Sequence, residues 1–290
     1  MTPLRLRRGA ALVLVLWLIA LLTAVVGAFV LSARVEQLQQ RVQDDAGRAA
    51  QVASAAVAYA MWRLRSDPLR PPWQPDGRLY RWRFDDAQVD LRIEDETGKV
   101  SLNLADAPLL DAFLQALGEP PERARQLAGA IIDWRDADDL SPPGGGAEKP
   151  DYVASGLPYG PRNRNFETVG ELQRVLGITP ALYARMQPMV TVYSRASRPD
   201  PRFARAPVLT ALGLDAALLL AQRESEQAAE EAGTGAQAFV SGSGTYSIDC
   251  RITDAAGRQS RSRVVVRGSQ GTALGRAYTV LRWEQGMAAQ

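Results

Sequence analysis

Residues 10–31 read AALVLVLWLIALLTAVVGAFVL, a 22-residue apolar run interrupted only by Thr23 and Gly27. About 20 apolar residues suffice to cross the ~30 Å hydrocarbon core of a bilayer as a helix. Arg5, Arg7 and Arg8 stand just before the run. Arginines on the short side hold that end in the cytoplasm, which places the bulk of the chain across the membrane. No proline occurs between Pro3 and Pro68, and beyond Leu31 the residues Val35, Leu38, Val42, Ala46, Ala49, Val52, Ala56, Ala60 and Leu64 keep three- and four-residue spacing. The pattern predicts one helix of about 55 residues, roughly 80 Å long. Its first part belongs in lipid, and its second lies amphipathically on a soluble domain. An ordinary cleaved signal peptide has an apolar region of only about 7–15 residues, too short for this run. A plain signal anchor is compatible with the same signals.

The chain has 290 residues, room after an anchor for one large domain or two ordinary ones. Net charge is +2, and it becomes −1 if the first nine residues leave with their three arginines. Thirty-two of the 34 basic residues are arginine, which reads as a coding bias rather than a binding signature. A balance this close to neutral argues against nucleic acid as a partner. There is no histidine, which excludes Ser-His-Asp and Cys-His catalysis and removes the commonest zinc ligand. Cys250 is the only cysteine, so no disulfide forms within the chain. It falls in a strand-like stretch as a small buried residue.

Pro68, Pro71, Pro72 and Pro75 end the long helix and open a loop. Period-2 alternation then predicts strands at residues 79–84 and around Val89, Leu91 and Ile93, with Asp85-Asp86 as the turn. Gly98-Lys99 leads into a third strand at residues 100–104, an antiparallel meander on which the helix buries its apolar stripe. Asp106 caps a helix that opens with Ala107-Pro108 and carries Leu109, Leu110, Phe113, Leu114 and Leu117. A second helix, residues 121–134, carries Ala124, Leu127, Ala128, Ile131 and Ile132. A polar loop runs to about Asn165. Residues 168–176 form another helix, with Thr168 as cap and Glu171 at the capping-box position. A short helix at 180–187 and a strand at 189–193 follow. Residues 207–231 are mostly helical and end in a Gly/Ser-rich loop. Strands at 245–253, 259–266 and 278–284 close the chain, the first two joined by a turn at 254–257. Strands, then helices, then strands give an α+β fold with an antiparallel sheet and a large all-helical insertion.

The densest acidic stretch is residues 133–151, where Asp133, Asp136, Asp138, Asp139, Glu148 and Asp151 meet only Arg135 and Lys149. Pro142-Pro143 and Gly144-Gly145-Gly146 lie in its middle. Crowded carboxylates repel one another, and a hard cation such as Ca²⁺ relieves this by taking 6–8 oxygen ligands. Asn163 and Asn165 offer amide oxygens. The spacing is not that of an EF-hand, and a solvated acidic loop is an equal reading of the spacing alone. Acid/base catalysis by paired carboxylates is a further alternative, with no nucleophile–base pair nearby to support it.

The basic stretch ending in Gly9, followed by the apolar helix, resembles a type IV pilin-like N-terminus. That resemblance implies cleavage by a prepilin peptidase between Gly9 and Ala10 and methylation of the new N-terminus. The family usually begins its mature chain with phenylalanine, where Ala10 stands, and carries glutamate at the fifth mature position, where Leu14 stands. A carboxylate in lipid is costly unless a partner subunit meets it. Leu14 therefore fits a subunit with no neighbour on that side, as at a filament tip.

Gly98-Lys99-Val100-Ser101-Leu102-Asn103, Asp133-Trp134-Arg135-Asp136-Ala137-Asp138, Gly146-Ala147-Glu148, Pro158-Tyr159, Asn165 and Val169-Gly170-Glu171-Leu172 occur in this order. Together they resemble the K-type minor pseudopilin family of bacterial type II secretion, from the leader to about Val192. The resemblance implies a pilin-like core carrying a helical insertion, calcium near the insertion loop, and an N-terminus without the pilin glutamate. Carried over by motif, the calcium ligands are Asp136, Asp138, Glu148 and Asn165, with Asp133, Asp139 and Asp151 beside them. The implied organisation is a leader at 1–9, the transmembrane part of the long helix at 10–31, pilin-like core at 32–105 and 194–290, and the insertion at 106–193. The implied partners are other minor pseudopilins, the major pseudopilin, the inner-membrane secretion platform and the prepilin peptidase. The implied place is the bacterial inner membrane, single-pass, with the N-terminus cytoplasmic and the main domain periplasmic. The implied role is to cap the tip of a periplasmic pseudopilus, with no enzymatic activity.

Two other functions compete. Val169-Gly170-Glu171-Leu172 followed by Leu176-Gly177-Ile178-Thr179 weakly resembles one hairpin of a helix-hairpin-helix module, which would make the protein a membrane-anchored DNA receptor. The acidic loop alternatively serves a membrane-tethered hydrolase.

Overall fold

The apolar stretch and the periodic stretch after it form one helix, α1 (Arg8–Arg63). The computed structural model describes residues 8–65, 72–142, 144–231, 242–269 and 277–287. Pro68, Pro71 and most of the expected Gly/Ser-rich loop lie outside the described residues, as do residues 1–7. The chain divides into two compact units, Met1–Ser54 and Ala55–Gln290. In the first, Leu12–Arg34 is long and apolar enough to cross a membrane. Its side chains, Leu14 among them, are exposed, and exposed leucine, valine and tryptophan all round a helix suit lipid rather than water.

The second unit contains a five-stranded antiparallel sheet in the order β1-β2-β5-β6-β7. Its strands are β1 (Asp76–Phe84), β2 (Ala87–Asp95), β5 (Thr245–Thr253), β6 (Gln259–Gly268) and β7 (Tyr278–Met287). Alternation and register put Val89, Leu91 and Ile93 beside Ile252, Cys250 and Ile248 on one face, with Val264 next to Ile248. All of them are buried. Trp82 pairs with Val89 and so shares that face, where it stacks on Tyr59 of the last turns of α1 at 4.8 Å between ring centroids. Ala56, Val57 and Ala60 of the same turns have no exposed surface. Their small side chains bring the helix close to the sheet, and each aromatic stack adds about 0.5–1.5 kcal/mol beyond its buried area.

The expected third strand of the meander is not there. Val100–Ser101 is β3, and it pairs in parallel with β4 (Val190–Thr191) in a separate two-stranded sheet. Asp95 diverts the chain: its carboxylate accepts from the Thr97 N–H at 2.8 Å and caps the 3-10 turn Glu96–Gly98. Gly98 lies so close to Phe203 that a Cβ there would sit 2.5 Å from the Phe203 carbonyl oxygen. The place beside β2 goes instead to β5 from the far end of the chain.

The helical part holds α2 (Ala107–Ala116), α3 (Pro121–Arg135), α4 (Lys149–Ala154) and α5 (Pro180–Met186). Asp106 caps α2 through the Leu109 N–H at 3.0 Å, a contact worth about 1 kcal/mol. Leu110, Phe113 and Leu114 of α2 are fully buried with Ile131 of α3 and Leu182 of α5. Two local expectations change. Helix α4 interrupts the stretch expected to be loop. Residues Val169–Arg174 form a 3-10 turn rather than an α-helix, although Glu171 accepts from the Thr168 N–H at 2.9 Å as the capping pattern requires. The helical run after residue 205 is two helices, α6 (Ala206–Ala211) and α7 (Ala216–Glu231). Ala204, Val208 and Leu209 join the same core.

Candidate metal centre

The last turn of α3 delivers Asp133 and, one step beyond the helix, Asp136. The N-cap of α4 delivers Glu148. One carboxylate oxygen from each lies within 4.8 Å of the others. Asp133 is fully buried and Glu148 is 6% exposed. Asp133 Oδ1, Asp136 Oδ1 and both Glu148 oxygens are buried without a hydrogen-bond partner. Unpaired buried acceptors are costly, and here four of them converge.

Among the described residues no basic side chain forms an ion pair with the cluster, and the nearby Arg135 charge only partly offsets the rise at Asp136. Arg135 points away, donating to the carbonyls of Leu102 and Ala105, and Lys149 is exposed. The electrostatics follow. Burial, then the charges of Asp133, Asp136, Asp139 and Asp138, push the Glu148 carboxyl up to about 7. Burial lifts Asp133 above the usual carboxylate range despite the bonds from Ala147 and Ser141. Asp136 is raised by burial and then by Asp133 and Asp138.

The loop between these carboxylates is clamped to α3. Asp133 Oδ2 accepts from the Ala147 N–H at 2.7 Å and from Ser141 Oγ at 3.0 Å. A Cβ on Gly146 would lie 2.1 Å from Asp133 Oδ2, and one on Gly129 would lie 1.9 Å from the Gly145 carbonyl oxygen. Gly145 has φ +110°, a left-handed conformation that favours glycine. The glycine triplet is thus what lets the loop lie flush on the helix. Asp151 accepts from the Glu148 N–H at 2.8 Å and fixes the start of α4.

Asp133, Asp136 and Glu148 of the sequence candidates therefore come together. Asp138 and Asp139 are exposed, and Asp138 Oδ1 accepts from the Leu140 N–H at 2.9 Å. They act on Glu148 by charge. Asn165 is exposed, whereas Asn163 has a left-handed φ of 51° and a buried Oδ1 without a partner. Sequence reasoning missed Ser141, Gly129 and Asn103. Asn103 holds the returning segment with both its amide atoms, to the Phe166 N–H at 2.7 Å and the Phe166 carbonyl at 3.0 Å. The Glu148-x-x-Asp151 spacing was a usable helix-start signal. The peptidase candidates Gly9 and Ala10 lie in the first turn of α1.

The donor set is all oxygen, mostly anionic and partly buried. Its unpaired acceptors fit a hard divalent cation and not a soft metal seeking nitrogen or sulfur.

Residues 91–195, which hold the whole centre, match the family described as Type II secretion system (T2SS), protein K. The family resemblance read from the motifs holds. Type II secretion system protein K of Klebsiella pneumoniae is 31% identical over 206 residues, covering 63% of this chain and 62% of that protein. The Pectobacterium carotovorum protein of the same name is 28% identical over 209 residues, with 63% and 62% covered. The Pseudomonas aeruginosa protein is 26% identical over 227 residues, with 71% and 68% covered. The chain thus spans less than two thirds of the first two relatives. A chain in the crystal structure of the GspK-GspI-GspJ complex of enterotoxigenic Escherichia coli superposes with a TM-score of 0.59 at 18% identity, over 86% of this chain and 100% of that one. That likeness concerns the fold, and it agrees with the expected α+β architecture.

Proposed function

We propose that this protein is a minor pseudopilin of bacterial type II secretion. The match of residues 91–195 to the protein K family carries the reading. The protein is held in the inner membrane by Leu12–Arg34, with its N-terminus cytoplasmic and its main domain periplasmic. It is cut between Gly9 and Ala10 and methylated there. It assembles with other minor pseudopilins at the pseudopilus tip; the structural relative was crystallised in a GspK-GspI-GspJ complex, which supports partners of this kind. Leu14, lacking the carboxylate that would meet a neighbour, supports the terminal position.

The role is architectural. Asp133, Asp136 and Glu148 hold a calcium ion, with Asp138, Asp139 and the Asn163–Asn165 segment close in sequence or charge. Calcium supplies the positive charge that this carboxylate cluster lacks. The chain's own part is to prepare the site. Ser141 and the Ala147 N–H orient Asp133, Asp151 orients Glu148, and the glycines bring the loop down. This ties the end of α3 to the start of α4.

Deletion of the gene in its own bacterium tests the role. Secreted enzymes should then accumulate in the periplasm, and the intact gene should restore export. The tagged protein should bring down other minor pseudopilins. Normal export without the gene removes the reading.

A further inference from the structure

The sheet face opposite α1 is covered only in part. Near the helical region it carries Glu94, Ser247 and Val265, all buried, and Lys99 donates to Ser247 Oγ at 2.7 Å. Further along the strands the face is open among the described residues. Register there aligns Arg81, Asp90, Arg251 and Arg261 in one row across four strands, and the row runs out at Gly286 of β7. Strands spaced about 4.8 Å apart make this row roughly 15 Å long. Arg83 and Arg92 stand one step to either side on the same face, and all five arginines are exposed.

The acids on this face do not neutralise it. Asp249 is bound at two points by Arg263, at 3.0 and 2.8 Å, which leaves Arg261 at 3.7 Å from it. Arg92 donates to the Gly77 carbonyl at 3.0 Å. Among the described residues Arg81, Arg83 and Arg251 have no hydrogen-bond or ion-pair partner. Asp90 stands between Arg81 and Arg251, yet its Oδ1 is buried and receives no hydrogen bond. Arg251 faces Arg261 directly, and like charges opposite one another in a sheet are destabilising. The turn acids Asp85 and Asp86 are exposed at the end of the patch.

We propose that this half-face, centred on Arg81, Asp90, Arg251 and Arg261, docks an acidic segment of a partner protein. Guanidinium groups pair with carboxylates in a two-point fork. The order Arg, Asp, Arg, Arg calls for carboxylates with a hydrogen-bond donor between them, to reach Asp90. An extended polypeptide with these groups at every second position, as in Glu-x-Ser-x-Glu-x-Glu, presents them on one face and provides that. A uniformly anionic polymer or a lipid headgroup layer would set charge against Asp90. The patch depends neither on the calcium site nor on the secretion role.

The test uses the full chain in a non-ionic detergent and a fluorescent peptide of sequence Glu-Gly-Ser-Gly-Glu-Gly-Glu. Anisotropy should show binding that weakens with salt. Arg251→Glu with Arg261→Glu should weaken it by about tenfold or more, while Arg125→Glu, a charge reversal at an exposed position of α3, should leave it alone. Neutral Arg251→Gln with Arg261→Gln should also lose affinity, which guards against a misfolded charge-reversal variant. Absence of binding, or equal losses for the Arg125 and sheet variants, overturns the proposal. So does tighter binding of single-stranded DNA or phosphatidylglycerol vesicles through the same arginines.

Discussion

Glu148→Gln should move the protein's stability in opposite directions with and without calcium. In the metal-free protein the Glu148 carboxyl is pushed from 4.5 to about 7 by burial and by its acidic neighbours. A folded-state value above the unfolded one means that folding favours the protonated form. The associated stability is fully present below about pH 4.5 and is lost as pH rises through about 7. A shift of about 2.5 units corresponds to about 3 kcal/mol at most. For a folded part of this size that amounts to roughly 6–12 °C in melting temperature. Asp133 and Asp136 shift in the same direction, so wild-type protein in chelator should melt lower at pH 7.5 than at pH 5. Glutamine keeps the volume and cannot ionise. In EGTA at pH 7.5 the variant should therefore melt above wild type. In millimolar calcium the order should reverse, because the wild type gains an ion and the variant has lost a ligand charge. Thermal melts followed by circular dichroism at pH 5 and 7.5, with EGTA and with calcium, give all the comparisons. A variant that is no more stable than wild type in EGTA would refute the electrostatic reasoning. A wild type indifferent to calcium would refute the metal.

Three further outcomes are expected. Gly129→Ala places a Cβ where the Gly145 carbonyl lies, 1.9 Å away. The loop must retreat by more than an ångström, at a cost of about 1–3 kcal/mol, and calcium titration should show weaker affinity although no ligand has changed. Asp136→Ala should abolish the calcium-dependent rise in melting temperature, whereas Asp138→Ala, which removes an exposed group already bonded to Leu140, should only reduce it. Arg135→Met should destabilise metal-free and calcium-loaded protein alike by about 2–4 kcal/mol, since it strips hydrogen bonds from the Leu102 and Ala105 carbonyls; denaturant melts would show this.

The anchor helix and most of the strands were legible because their signals are local. The apolar run is continuous, and the alternation of Val89, Leu91 and Ile93 needs no tertiary context. Asp106 and Thr168 announced their capped turns by spacing alone. Pairing was less legible. Nothing near Val100 says that it will meet Val190, and the sequence alone offered the neighbouring meander instead. At the candidate metal centre the carboxylates stood out as a cluster. Which three converge depends on how α3 ends and α4 begins, and α4 was hidden in a stretch rich in proline and glycine. The helix α6 joins the helical core through Val208 and Leu209, a contact set by the fold of the segments before it.

The register of the sheet also sets an order of assembly. Strand β2 takes as its inner neighbour β5, about 150 positions later. Long-range pairings of this kind carry a large closure entropy and form slowly. While the chain is still being made, the segment between them has local contacts to build on, and β2 has only β1. The inner edge of β2 stays open until the last strands arrive. The strands from Thr245 onward therefore act as the closing step for this sheet. A chain cut short before them would keep helices already packed and an unpaired β2 exposed to aggregation.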